Sequence, residues 1–303
     1  MRVLLLVLLP VLLFAGAWQA KGWWQARSGK MTGPARHPGE PVRIIGLAPS
    51  TVEILFELGL GDQVVGVSRF SKHPPEALEK PEIGVFMEIE FERLLALEPD
   101  HVVMAESQQS LEEKFHRFGL ATLRVDHASV AGILDSIGEI GRSFDREERA
   151  AGVVAGIRGR MDEVDRRIAG KPKPRVLICI ERDVDTGKPS GVVAAGSAGF
   201  HQELIALSGA QNAYAGPIPF PMLSREDLIE LDPDVIIDLT RDEFVQRIGA
   251  DELLAQWDAF GELGAVRNRR VVLLVGNQHV IPGPRFIDTL EAFAGAIHPQ
   301  PGN

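Results

Sequence analysis

Seven polar side chains fall in segments that read as loops next to buried strands: Arg69, His73, Glu88, Glu181, Arg182, Asn277 and His279. Arg182 carries a planar fork that can meet a carboxylate or phosphate through two parallel bonds, and His279 can ligate a metal or touch a metal chelate. His73, His127, His201 and His279 raise a bare-metal site, but their spacing gives no tight cluster and no His-rich loop is present. No catalytic set emerges. Ala195-Gly196-Ser197-Ala198-Gly199 has Ala195 where a nucleophile elbow needs its first Gly. A phosphate loop of the Gly-x-x-x-x-Gly-Lys-Ser type is missing, and Gly191, Gly196 and Gly199 lack dinucleotide-binding spacing. Gly196 and Gly199 instead suit a tight strand-to-helix turn. The residue types favour capture over turnover, so no catalytic residue, resident metal or cofactor is expected.

Loops of this kind need a scaffold, and the longest regular stretch shows what it is. Residues 145–171 read as one helix, with Asp145 at its start, Glu147 and Glu148 in a first turn that favours acids, and Arg166, Arg167 and Lys171 at its end. Gly170 offers a left-handed exit and Pro172 a stop. Ala150, Val153, Val154, Ile157, Met161, Val164 and Ile168 recur at three- and four-residue steps and lay an apolar stripe along one face. At 1.5 Å per residue such a helix spans roughly 35 Å, enough for a stiff strut between two lobes.

The chain repeats itself on either side of that strut. Phe91-Glu92-Arg93-Leu94-Leu95-Ala96-Leu97-Glu98-Pro99-Asp100 precedes the apolar run His101 to Met104. Arg225-Glu226-Asp227-Leu228-Ile229-Glu230-Leu231-Asp232-Pro233-Asp234 precedes Val235 to Leu239 in the same way. Each copy reads as a short helix, a Pro-Asp turn and a buried strand. Elsewhere strands alternate with helices, and Ser50 and Glu53 have capping-box spacing at the start of the first helix. The predicted fold is α/β: two Rossmann-like lobes with parallel sheets, residues 42–144 and 172–303, joined by the bridging helix at 145–171.

A chain of 303 residues with 45% apolar content can fill two such lobes. Its formal charge of −10 gives nucleic acid or an anionic membrane surface no basic face to hold. Cys179 is the single cysteine, so no disulfide can form within the chain, and its apolar neighbours place it in a buried strand. Arg2, the apolar run Val3 to Phe14 and the small residues Ala15-Gly16-Ala17 read as an export signal within residues 1–20, or as an uncleaved anchor. No Cys follows the run to take a lipid. Residues 21–41 read as a flexible leader.

The segment Arg43-Ile44-Ile45-Gly46-Leu47-Ala48-Pro49-Ser50-Thr51-Val52-Glu53-Ile54-Leu55-Phe56 resembles the helical-backbone (class III) periplasmic binding proteins for cobalamin and ferric siderophores, as do Val65-Gly66-Val67, Pro74-Pro75, the block from Glu92 to Asp100, and Gly283-Pro284-Arg285 with the closing helix to His298-Pro299. The resemblance covers residues 42–299 and implies the extracytoplasmic receptor of an ABC importer, a monomer working in the periplasm with a permease and its ATPase. It implies a small-molecule metal chelate held between the lobes and one surface Glu per lobe, Glu92 and Glu226, docked on the permease. Phe70, Phe86 and Phe220 match aromatic ligand-contacting positions, and Arg182, Asn277 and His279 are polar candidates beside them. Relatives often have Trp or Tyr at the aromatic positions, and the single Tyr of this chain, Tyr214, argues against tyrosine-ligated haem. A bare-metal or haem receptor and a sensory receptor of the same fold are the alternatives; an enzyme ranks last.

Overall fold

The computed structural model describes residues 41–299, so the expected signal at 1–20 and the leader up to residue 40 lie outside the described residues. The first lobe is built on β1 (Ile44–Gly46), β2 (Val64–Val67), β5 (His101–Ala105) and β6 (Ala121–Val125), all parallel in the order β2-β1-β5-β6. A small hairpin, β3 (Gly84–Val85) and β4 (Glu88–Ile89), stands apart from it. Helices α1 (Pro49–Glu57), α2 (Phe91–Ala96), α3 (Glu112–Arg117) and α4 (Val130–Ser143) complete the lobe.

Helix α5 (Glu147–Ile168) then leads into the second lobe. That lobe holds β7 (Arg175–Asp183), β8 (Ser190–Ala194), β9 (Gln211–Asn212), β10 (Met222–Leu223), β11 (Val235–Thr240) and β12 (Val271–Val275) in the order β10-β8-β7-β11-β12, with β9 also on β7. Its helices are α6 (Phe200–Leu207), α7 (Arg225–Leu231), α8 (Asp242–Ile248), α9 (Ala250–Ala255), α10 (Gly264–Arg267) and α11 (Phe286–Ile297). Strands β7, β11 and β12 are parallel, but β8 runs antiparallel to β7 and β10 antiparallel to β8. The reason is chain length. Residues 184–189 can close a hairpin, whereas a parallel return needs a crossover of about a dozen residues or more.

Alternation along the strands decides which core each side chain joins. Ile44, Val103, Val176, Ile178, Val235 and Ile237 point into one cluster that includes Ala150, Ile157 and Val164 of α5. Ile45, Val102 and Met104 fill a cluster private to the first lobe, and Leu177, Cys179 and Ile236 one private to the second. The apolar stripe of α5 therefore carries one core from lobe to lobe. Val153, Val154, Met161 and Ile168 flank it half-buried, as the three- and four-residue spacing requires.

Two caps differ from expectation. Asp145 does not start α5: it takes a left-handed backbone, φ 55°, in the tight link from α4, and Arg146 occupies the N-cap. Ser50 and Glu53 do not form a capping box either. Thr51 takes that work, its Oγ1 accepting from the Ala48 N–H at 3.1 Å, which frees Ser50 and Glu53 for distant partners. The repeated Pro-Asp turn does the same thing twice. Asp100 accepts the Arg43 N–H at 2.8 Å in the first lobe, and Asp234 accepts the Arg175 N–H at 2.8 Å in the second. Glu98 and Asp232, each just before its Pro, both adopt positive φ.

Candidate functional site

Loops leaving the carboxyl ends of β1, β2 and β5 converge on one face of the first lobe. The Arg69 N–H donates to Gly84 O at 2.9 Å, which seats the 68–75 loop on the β3/β4 hairpin, and Ser68 and Ser71 bond through their hydroxyls at 2.9 Å. Phe70 and Phe86 flank this junction, 61% and 55% exposed. In the second lobe the loop before β10 lies on β8, with Gly196 N–H donating to Pro219 O at 2.8 Å and Ala194 N–H to Pro221 O at 2.9 Å. It leaves Phe220 62% exposed, alongside Ile218 at 53% and Met222 at 73%. A folded chain seldom leaves so many large apolar side chains in water unless something covers them. Ile218 and Met222 are not among the candidates that the sequence offers, and both flank Phe220, which is.

The polar candidates divide. Arg182 is committed to partners inside the second lobe. Its guanidinium, 2% exposed, donates to Asp238 Oδ2 at 2.7 Å and to Leu253 O at 2.8 Å, and Nη1 donates to Gln256. Strand β7 runs through position 182 and turns the side chain into the core of the lobe, where a buried cation needs every one of those partners. His279 is likewise turned inward. Its Nδ1 bonds Thr289 Oγ1 at 3.0 Å, and burial holds its pKa below the usual imidazole value. Asn277 opens the same short turn after β12 and stays half-exposed. Arg69 and His73 are exposed, and Glu181 lies in water against Arg241 at 3.1 Å.

The four histidines raised as a metal site do not gather into one set of ligands. His127 bonds Ser50 Oγ through Nδ1 at 2.8 Å, and burial lowers its pKa to about 4, so the ring is neutral. His201 bonds the His279 carbonyl through Nε2 at 2.9 Å, its pKa also lowered by burial. Among the described residues no group of three or more His, Cys, Asp or Glu side chains can hold a metal ion.

Glu92 and Glu226 both stand exposed in the first turn of their helices, α2 and α7, and no described partner engages either carboxylate. Sequence reasoning missed the contacts between the lobes. Glu53 of α1, almost fully buried, accepts from Arg285 Nη2 at 2.6 Å and Nε at 3.1 Å, just ahead of α11. Glu203 of α6 accepts from the Val130 N–H at 2.8 Å, at the start of α4. Gly283 completes the approach: an added Cβ there would lie 3.0 Å from Glu53 Oε2. No local pattern announces such pairs, because the partners are 232 and 73 residues apart.

A sequence model of the family described as periplasmic binding protein matches residues 44–277. The ABC transporter substrate-binding lipoprotein YvrC of Bacillus subtilis (strain 168) is 28% identical over 86% of this chain and 81% of its own length. A vitamin B12-binding protein of Vibrio parahaemolyticus serotype O3:K6 is 27% identical over 83% of this chain and 88% of its own. Among solved structures, the periplasmic heme-binding protein RhuT from Roseiflexus sp. RS-1, in apo form, superposes with a TM-score of 0.72 at 26% identity, covering 86% of this chain and 98% of that one. Among the described residues no helix is long and apolar enough to cross a membrane.

Proposed function

Because this chain belongs to the periplasmic binding protein family, as an ABC transporter substrate-binding protein, we propose that it captures a metal chelate, a corrinoid or a ferric siderophore, between its two lobes and hands it to a permease and its ATPase. The observation that carries this reading is the exposed set Phe70, Phe86 and Phe220, with Ile218 and Met222 beside the last. Aromatic faces bury much area for two side-chain torsions each, which suits a large ligand with an organic shell. A cobalamin or a ferric siderophore arrives with its metal already ligated. Such a ligand needs walls, and neutral His127, inward His279 and core-bound Arg182 offer it no new ligand set.

On this reading the protein is a monomer of the periplasm, its leader cleaved or kept as an inner-membrane anchor, and it performs no chemistry on its ligand. Glu92 and Glu226 dock the two lobes onto basic residues of the permease. The strut, the shared core along α5 and the Glu53–Arg285 pair favour a small closure over a wide hinge.

Calorimetric titration of the purified protein with cyanocobalamin, a panel of ferric siderophores and haemin tests the proposal. One ligand should saturate a single site, and Phe86→Ala and Phe220→Ala should each weaken it by roughly tenfold or more, as truncation of a buried anchor does. A folded protein that binds nothing in the panel would overturn it. Haem is the second reading, favoured by the solved neighbour that binds it. Haem iron needs an axial donor, and the exposed candidates in the loops that carry the aromatic rings are Met222 and His73. A haemin-induced Soret shift lost in Met222→Ala would move the conclusion to haem.

A further inference from the structure

The hairpin that carries Phe86 cannot hold itself. It has two residue pairs, Gly84 with Ile89 and Val85 with Glu88, and an isolated two-stranded ribbon of any length is marginal in water. Its backbone is also strained. Phe86 sits at φ 39°, in the left-handed region that a bulky side chain avoids, and Gly84 at φ 115° brings the strands so close that an added Cβ would lie 2.2 Å from Glu88 O. Conformations of this kind persist only where the surroundings over-determine them.

One side chain does that here. Gln108, fully buried in the 3-10 turn Glu106–Leu111 that follows β5, donates from Nε2 to Phe86 O at 2.9 Å and to Leu47 O at 3.2 Å. Its Oε1 accepts the Ala105 N–H at 3.2 Å. Both amide hydrogens and the carbonyl are thus committed, and a single amide ties the carboxyl ends of β1 and β5 to the hairpin turn. The base of the hairpin has bonds of its own, Arg69 N–H to Gly84 O and Glu90 N–H to Ile83 O, so what depends on Gln108 is the turn.

We propose that Gln108 is the positioning residue for the cleft: it holds Phe86 in its strained, outward conformation and thereby sets ligand affinity. The affinity part rests on the reading above, in which Phe86 touches the ligand. Without the Gln108 donors, Phe86 O and Leu47 O lose their partner, the turn relaxes from the left-handed region, and the ring leaves the place where a ligand would meet it.

Gln108→Met keeps the volume and removes all three bonds. Gln108→Glu keeps the acceptor for Ala105 N–H but sets a carboxylate against two carbonyl oxygens. Hydrogen exchange of full-length protein, without ligand, should show amides of residues 84–89 exchanging at least about tenfold faster in both variants, with β1, β5 and β6 still protected. Titration with cyanocobalamin, haemin and a ferric hydroxamate should show Gln108→Met weakening whichever one binds by roughly tenfold, and Gln108→Met/Phe86→Ala no weaker than Phe86→Ala alone within about twofold. Unchanged exchange at 84–89, or losses of affinity that multiply in the double variant, would overturn the proposal. If no chelate binds the unaltered protein, the capture reading fails while the exchange result still decides whether Gln108 holds the turn.

Discussion

The two lobes carry the same arrangement of ring and acid but support it differently. In each, an exposed Phe stands six residues ahead of an exposed Glu, Phe86 before Glu92 and Phe220 before Glu226, and the helix bearing that Glu ends in a Pro-Asp turn locked to the first strand. In the first lobe the ring sits on a strained turn secured by one buried amide. In the second it sits on a loop secured by backbone bonds to the end of β8 and to Gly196 just beyond it, with no buried side-chain amide of the Gln108 kind among the described residues. The interiors differ too: the second lobe buries an arginine–aspartate pair, and among the described residues the first has no counterpart. What must meet the outside is matched, and the means of holding it is not.

The largest break in that comparison should come from Arg182→Leu. It would leave Asp238 buried without its cation, although Trp257 Nε1 would still donate to it at 2.8 Å. Removing one partner of a buried pair typically costs about 3–5 kcal/mol. Urea unfolding followed through the buried Trp257 should show a loss of that order in the second lobe, with first-lobe exchange protection little altered. A loss under about 1 kcal/mol would mean the guanidinium is not a structural cation, and its candidacy as a ligand contact would return.

The next effect tests a symmetry between the lobes. The first helix of each lobe sends a Glu to the start of the other lobe's last helix, Glu53 to Arg285 and Glu203 to the Val130 N–H. Glu53→Ala should cost about 1–3 kcal/mol, because it strips a charge-assisted pair from a buried site, and Glu203→Ala somewhat less. The pairs share no partner, so the costs should add within about 0.5 kcal/mol. Small-angle scattering should show the ligand-free double variant more open than the parent. An unchanged profile would leave the whole restraint to α5.

How far these features could be read from sequence follows from how local they are. The stripe on α5, the Pro-Asp turns and the export of Phe86 and Phe220 to loops all lie in short windows, or in a resemblance carried by short windows. Ser50 and Glu53 had the spacing of a cap and were read as one, but their partners His127 and Arg285 lie 77 and 232 residues away. Arg182 read as a loop residue because the apolar run stops at Ile180, whereas β7 continues through it to reach Asp238. Gln108 had no signal, its carbonyl partners being 61 and 22 residues off.

A smaller effect is carried by protons. His127, in the first lobe, is held neutral by burial, its pKa about 4 against 6.5 when free. Above pH 6.5 both folded and unfolded forms are neutral and there is no penalty. As pH falls from there toward 4 the unfolded chain gains a proton that the folded one refuses, so stability drops by at most about 1.4 kcal/mol per pH unit. Burial also lowers the pKa of His201 in the second lobe, which adds a slope of the same sign. Urea midpoints at pH 7, 6 and 5 should therefore fall steadily, and His127→Gln should remove part of the slope. An unaltered slope in that variant would assign the acid sensitivity to the other histidines whose pKa burial lowers, His101 in the first lobe and His201, His279 and His298 in the second.

The smallest effect on stability should come with the largest on transport. Glu92 and Glu226 are exposed and have no ion-pair partner among the described residues, so replacing either with Ala should change stability by no more than about 0.5 kcal/mol and leave chelate affinity alone. If the acids orient the receptor on its permease, each variant should lower chelate uptake, or receptor-stimulated ATP hydrolysis in reconstituted membranes, and raising the salt should mimic the loss by screening the contact. The sharper question is whether the two losses match. Equal losses would mean the transporter grips both lobes through equivalent points, which is what the shared spacing from ring to acid suggests. A loss confined to Glu92 would mean docking senses only the lobe whose aromatic turn hangs on Gln108. No loss in either would remove docking as the reason two otherwise divergent lobes carry the same exposed acid at the same place.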